Sequence, residues 1–169
     1  MRRMAVAGLL VVTLLLGGCG QGAGADPDGS TPLSAAANRV DREMRSSWAA
    51  SFAGTELDTR NDRLIVYRKP DAGLEAAVRT KLDGVDVEFR DAPYSLSELQ
   101  PVADRVNADR AYWADRKIVV RWAVPRADGT AVNVVVRTDD VAAAGTAFAQ
   151  RYDNKVIVST PTTTGIVPA

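Results

Sequence analysis

Between Leu64 and Ser159 the apolar pattern runs twice through the same order of periods, and few folds are open to a chain that does this. Leu64, Ile65 and Val66 form a short apolar run, then Leu74, Ala77, Val78 and Leu82 recur at helical spacing, then Val85, Val87 and Phe89 alternate with charges. The second pass gives Val132, Val134 and Val136, then Val141, Ala144, Phe148 and Tyr152, then the run Lys155–Ser159. Period two marks a strand with one buried face, and spacings of three and four mark a helix with one apolar stripe. Laid without a gap, Leu64–Arg90 falls on Asn133–Ser159, strand on strand, helix on helix, and Val87 on Val156. The repeat is one of pattern and not of identity.

Each block gains a preceding strand. Phe52–Leu57 and Arg63–Lys69 flank the turn-forming cluster Asp58-Thr59-Arg60-Asn61-Asp62 and predict a hairpin. Ile118, Val120, Trp122 and Val124 alternate ahead of Asp128-Gly129 and predict a second, with these four on the buried face. Asp71 is placed to cap one repeat helix and Asp139 or Asp140 the other, and Gly84 can end the first in a left-handed conformation. Between the blocks Leu99, Val102, Val106 and Trp113 predict a helix. Both Ser95 and Ser97 head a capping box; Ser97 is preferred because Pro101 then sits only four residues into the helix. Thr31-Pro32 opens a further helix with Leu33, Ala36, Val40, Met44 and Trp48 on its stripe. The expected fold is a single α+β domain over residues 33–159: two ββαβ repeats on antiparallel-rich sheets, joined by a helix, with an extra N-terminal helix.

The N-terminal segment has a different grammar. Arg2 and Arg3 precede an apolar run from Ala5 to Leu16 that is broken only by Thr13. That run is shorter than the roughly 20 residues needed to span a bilayer, and small residues follow it, which is the pattern of a signal peptide. Leu16-Gly17-Gly18-Cys19 resembles the lipobox of bacterial lipoprotein precursors. The resemblance implies a signal peptide over residues 1–18 and a diacylglycerol on the Cys19 thiol. The protein would then lie on the extracytoplasmic face of the cell membrane, exported by the general route, since Met4-Ala5-Val6 does not extend a twin-arginine signal. Residues 19–32, with no bulky apolar side chain, read as a flexible tether, and residues 160–169, rich in Thr and Pro, as a disordered tail.

Composition narrows the chemistry. The chain has 21 basic and 21 acidic residues, and removal of Arg2 and Arg3 with the signal leaves 19 against 21, which disfavours nucleic acid as a partner. There is no histidine, and Cys19 is the sole cysteine. A Ser-His-Asp triad, a His-ligated zinc and an imidazole base are therefore ruled out, as is a thiol nucleophile if Cys19 carries lipid. No cofactor or metal site is expected. The carboxylate pairs Asp139/Asp140 and Asp86/Glu88 read as a helix cap and as the wet face of a strand, and Asp58, Asn61 and Asp62 as a turn whose spacing is not that of a calcium loop. Trp113 and Trp122 fit buried positions. Tyr67 and Tyr112 are the candidate partner-binding side chains.

Phe52-Ala53-Gly54, Asp58 near a turn, Leu64-Ile65-Val66 and Tyr94-Ser95-Leu96-Ser97-Glu98-Leu99 together resemble the pro-regions of secreted chymotrypsin-like bacterial proteases of the streptogrisin and alpha-lytic type. The resemblance covers about residues 50–159. It implies ββαβ-like halves, and a domain that assists folding of a protease and then inhibits it, with its C-terminal tail in or near the active-site cleft. No protease follows Ala169 in this sequence and the lipobox precedes the domain, so the implication expected to survive is the fold and a protein-binding surface. Two function classes stay open. One is a non-enzymatic protein-binding module at the cell surface, protease-binding or chaperone-like; the other is a small-ligand binder or carboxylate-dependent hydrolase.

Overall fold

The computed structural model describes residues 31–82 and 84–161. Cys19, the signal peptide and nearly all of the tether and tail lie outside the described residues. No helix among the described residues is long and apolar enough to cross a membrane.

The order of elements is α1 (Pro32–Ser47), β1 (Phe52–Asp58), β2 (Arg63–Arg68), α2 (Ala72–Lys81), β3 (Asp86–Asp91), α3 (Leu96–Ala108), α4 (Arg110–Ala114), β4 (Val119–Pro125), β5 (Val132–Arg137), α5 (Val141–Arg151) and β6 (Val156–Ser159). They form an α+β fold of two three-stranded sheets, A (β1-β2-β3) and B (β4-β5-β6), each built by one ββαβ unit. Within each sheet a hairpin gives an antiparallel pair, and a helical crossover returns the chain parallel to the central strand. The sheets are thus mixed and not antiparallel-rich: a strand that follows a helix and joins the strand before that helix must run parallel to it.

The caps follow the sequence closely. Thr31 Oγ1 accepts from Ser34 N at 3.2 Å, Asp71 Oδ1 from Gly73 N at 3.0 Å, and Asp140 Oδ1 from Ala143 N at 2.9 Å. Leu33, Ala36, Ala37, Val40 and Met44 of α1 pack with Leu74 and Val78 of α2 against Leu64 and Val66 of sheet A. In the second half α3, α4 and α5 set Leu99, Trp113 and Phe148 against Val132, Val134 and Val136 of sheet B. Both helical layers lie on one side of their sheets.

The joining helix begins at Ser95 and not at Ser97. The Glu98 carboxylate accepts from Ser95 N at 2.8 Å and from Lys69 Nζ at 3.0 Å, while Ser97 N–H is spent on Ala49 O at 2.9 Å. Tertiary contacts therefore satisfy the first turn, and Pro101 is tolerated inside the helix. The helix then breaks at Asp109, whose carboxylate accepts from Arg151 Nε at 2.9 Å and Tyr152 Oη at 2.8 Å, so Trp113 lies on the short α4.

The backbone N–H of Ser95 and the Lys69 ammonium hold the Glu98 carboxyl down at about 2, below its ordinary 4.5. A carboxylate whose folded pKa is depressed adds stability that is fully present above the unfolded value and is lost as pH falls through the folded one. Stability is therefore expected to fall between about pH 4.5 and 2, and less steeply in Glu98→Gln. Urea unfolding at pH 5 and pH 3 checks this, and equal slopes in the two chains would contradict it.

The repeat carries insertions that a gapless overlay hides. β1 bulges at Ala53, between Phe52 paired to Arg68 and Gly54 paired to Tyr67. β4 bulges at the equivalent place, Arg121, between Val120 paired to Val136 and Trp122 paired to Val135. These pairings put Leu64 on Val132 and Val66 on Val134, whereas Val87 still matches Val156 through the parallel pairs. The extra residue lies between β5 and α5, where Arg137, Thr138 and Asp139 occupy the place of Lys69 and Pro70. A one-residue slip reverses the faces of a strand, so the overlay of Leu64 on Asn133 set an inward residue on an outward one.

Candidate functional site

The bulge at Arg121 decides what the second sheet shows to solvent. Before it Ile118 and Val120 point inward; after it Ala123 does, and Trp122 and Val124 are turned out. Trp122, expected in the core, is 46% exposed. A bulge sets two residues against one and inverts the alternation beyond it. Nothing in the Ile118–Val124 pattern itself announces this.

The outward face of sheet B follows from the pairings. Trp122, Val135 and Ser159 form one row across the three strands, Val124, Asn133 and Ile157 the next, and Val119 stands beside Arg137. Val119, Trp122, Val124 and Ile157 are 43–48% exposed, and only Leu57 joins them as an exposed large hydrophobic among the described residues. Exposed large side chains gathered on one face mark interaction surfaces far more often than scattered ones do. Sheet A has the same geometry with opposite chemistry. Its outward rows are Gly54, Tyr67 and Arg90; Glu56, Ile65 and Glu88; and Asp58, Arg63 and Asp86.

The two outward faces meet at a cleft of about 430 Å³ lined by Glu56, Val124, Arg126, Asp128 and Asn133 among others. The loop between β4 and β5 forms one wall and crosses to the first half, where Tyr94 N donates to Gly129 O at 3.1 Å. In this loop Arg126 Nη2 lies 2.6 Å from Asp128 Oδ2, and Thr130 Oγ1 donates to Asp128 Oδ1 at 2.7 Å. The Arg126 bond holds the Asp128 carboxyl down at about 2.

Tyr67 stands on the outward face of sheet A, opposite in orientation to Leu64 and Val66. Its hydroxyl donates to Glu56 Oε2 at 2.7 Å, and burial followed by that bond raises its pKa. Tyr112 is elsewhere, on α4 in the helical layer of the second half. The Arg116 and Arg151 guanidinium carbons lie 3.6 and 3.9 Å from its ring centroid, and the Trp113 ring meets it edge-on at 5.0 Å. The structure does not bring the two tyrosines together, and Tyr112 already has cationic partners over its ring.

Of the carboxylates singled out in the sequence, Asp140, Glu88 and Asp58 have structural partners. Asp140 caps α5, and Glu88 lies 2.6 Å from both Arg63 and Arg90. Asp58 accepts from Asn61 Nδ2 at 2.7 Å and Arg63 Nε at 2.9 Å, which makes it a turn residue.

Comparison with protein-family models gives no match, and comparison with curated proteins gives none either.

Proposed function

We propose that this chain is an extracytoplasmic lipoprotein, tethered to the cell membrane through lipid on Cys19, whose domain binds another extracytoplasmic protein and catalyses no reaction itself. The observation that carries the binding role is the outward face of sheet B, where Trp122, Val124 and Ile157 stand exposed beside a cleft with charged walls. Tryptophan is among the commonest anchors of protein interfaces, and charges at a rim set register and choice of partner. The similarity of residues 50–159 to protease pro-regions favours a secreted chymotrypsin-like protease as that partner.

The anchor and the binding surface have separate tests. Cells fed a clickable fatty acid are expected to label the wild-type chain and not Cys19→Ser; equal labelling removes the anchor. For binding, the mature protein is titrated with chymotrypsin-like proteases secreted by the same cell. Trp122→Ala is expected to weaken the complex by about thirtyfold, as loss of a 2 kcal/mol anchor would. Because Trp122 is half exposed, the same change is expected to shift stability by only about 0.5 kcal/mol. Absence of binding to any of these proteases at high micromolar concentration rejects the protease version.

A small-ligand binder is the second reading, favoured by the cleft itself. Glu56 in its wall accepts from the Tyr67 hydroxyl, and Arg126 is bound to Asp128. Glu56→Gln would disturb that function and leave a complex anchored on Trp122 largely intact.

A further inference from the structure

The side chains that line the cleft have spent only part of their hydrogen-bonding capacity. Arg126 uses Nε and Nη2 on Asp128 and Thr130, and Asp128 also accepts from the amide and hydroxyl of Thr130, so this pair of charges is mutually neutralised. Glu56 uses one carboxylate oxygen, Oε2, on the Tyr67 hydroxyl. Asn133 uses its carbonyl oxygen, which accepts from Ser159 Oγ at 3.3 Å. Among the described residues Arg126 Nη1, Asn133 Nδ2 and Glu56 Oε1 meet no partner. The lining of a cleft of about 430 Å³ thus keeps donors and an acceptor unspent, in a volume within the roughly 300–1,000 Å³ of small-molecule sites. Val124 lines the same cleft, Ile157 shares its row, and Trp122 stands one row further along β4, about 7 Å away. These three side chains, 46–48% exposed, extend the polar cleft as an apolar shelf.

We propose that the cleft and its shelf bind a neutral oligosaccharide, with one sugar ring hydrogen-bonded by Glu56, Arg126 and Asn133 and a neighbouring ring lying flat on Trp122. The assignment rests on the small-ligand reading of the cleft and names the class of ligand. A sugar hydroxyl donates and accepts at once, so unspent donors beside an unspent acceptor suit it better than a group that can only donate or only accept. Because Arg126 and Asp128 neutralise each other, the cleft presents no cluster of like charge to an ionic ligand. The shelf matches the other side of the same molecule. One face of a sugar ring is a patch of C–H groups, whose faintly positive hydrogens meet the negative face of an indole, and covering Trp122 removes apolar area from water. The step of about 7 Å from Val124 to Trp122 leaves room for successive rings of one chain, and Trp122, beyond the rim of the cleft, is what calls for more than a single sugar.

The full chain in phosphatidylcholine vesicles is titrated calorimetrically with maltotetraose, cellotetraose and chitotetraose, and with spermidine and inorganic phosphate as charged probes. Saturable binding of at least one tetrasaccharide in the millimolar range or tighter is expected, with neither charged probe competing for it. Trp122→Ala is expected to weaken that binding about tenfold, and Trp122→Phe less, since a ring remains for stacking. Asn133→Asp keeps the shape and turns a donor into an acceptor, and is expected to cost about tenfold as well. All three side chains replaced stand on the outward face, so thermal unfolding should stay close to that of the wild type. Failure of every tetrasaccharide to bind overturns the proposal. So does saccharide binding that Trp122→Ala and Asn133→Asp leave unaltered, which would place it elsewhere on the molecule. Spermidine or phosphate bound in place of the saccharides, and lost in Glu56→Gln, would overturn the ligand class and keep the small-ligand reading. Silence from all five probes in a chain that still forms a protease complex through Trp122 would remove that reading too.

Discussion

Trp113→Ala is expected to lower the free energy of unfolding by about 3–5 kcal/mol, a large share of the roughly 5–15 kcal/mol that holds an ordinary domain together. Trp113 is 1% exposed and stacks on Phe148 with ring centroids 3.8 Å apart and planes 12° from parallel. Its indole Nε1 donates to Tyr152 Oη at 2.9 Å, and that hydroxyl donates in turn to Asp109 Oδ2 at 2.8 Å. Removing the ring would leave a cavity between α4, α5 and sheet B, and would strip the Tyr152 hydroxyl of the donor it accepts from. Tyr152→Phe separates the two contributions, because it keeps the packing and leaves the buried indole N–H without an acceptor, at a cost of about 1–3 kcal/mol. Denaturant titration followed by far-UV circular dichroism measures both. A loss below about 1 kcal/mol for Trp113→Ala would mean that the second core does not depend on this stack.

The same residues show how far the sequence could be read. Helical spacing places Trp113 in the core, and it is buried there although the helix breaks at Asp109. Helical register survives such a break because Trp113 N still donates to Asp109 O at 3.1 Å. Caps were legible for a similar reason: Asp71 and Asp140 act on amides two or three residues away, and local chemistry is written locally. Trp122 faces outward against its period-two pattern because one extra residue at Arg121 inverts the strand, and a bulge is set by pairing with a partner strand that the local pattern cannot reveal.

A signal for the bulge did exist at longer range. The first repeat bulges at Ala53, in the Phe52-Ala53-Gly54 segment, and the second bulges at the matching place. Aligning the hairpins apart from the helices would have exposed the inserted residue between β5 and α5, and with it the outward course of Trp122. Ile157 was legible more directly: it alternates with Val156 and Val158, so on a strand with one buried face it had to point away from them. The cleft was not legible, since Glu56, Arg126 and Asn133 are assembled by the crossing of one loop from the second half to the first.

That crossing gives the second large effect. Gly129→Ala is expected to destabilise the domain by about 3 kcal/mol, combining a left-handed backbone, which costs an L residue about 1–2 kcal/mol, with overpacking of about 1–3 kcal/mol. Gly129 has φ +65°, and a Cβ there would lie 2.4 Å from Tyr94 O, 2.7 Å from Ala92 Cβ and 2.9 Å from Ala53 Cβ. Two of these neighbours are small and one is backbone, so no side chain can swing aside to make room. The loop would have to lift, breaking the bond from Tyr94 N to Gly129 O. The opposing surface is equally close: a Cβ on Gly54 would lie 2.6 Å from Ala127 Cα. Gly84→Ala is the matched control, with φ +75° and nothing within 4 Å of a Cβ, so it carries only the conformational cost of about 1–2 kcal/mol. Thermal and denaturant unfolding of the two variants should therefore separate steric closure from backbone strain. If Gly129→Ala proves as mild as Gly84→Ala, the two halves do not close on each other through this loop, and the cleft between their outward faces loses its wall.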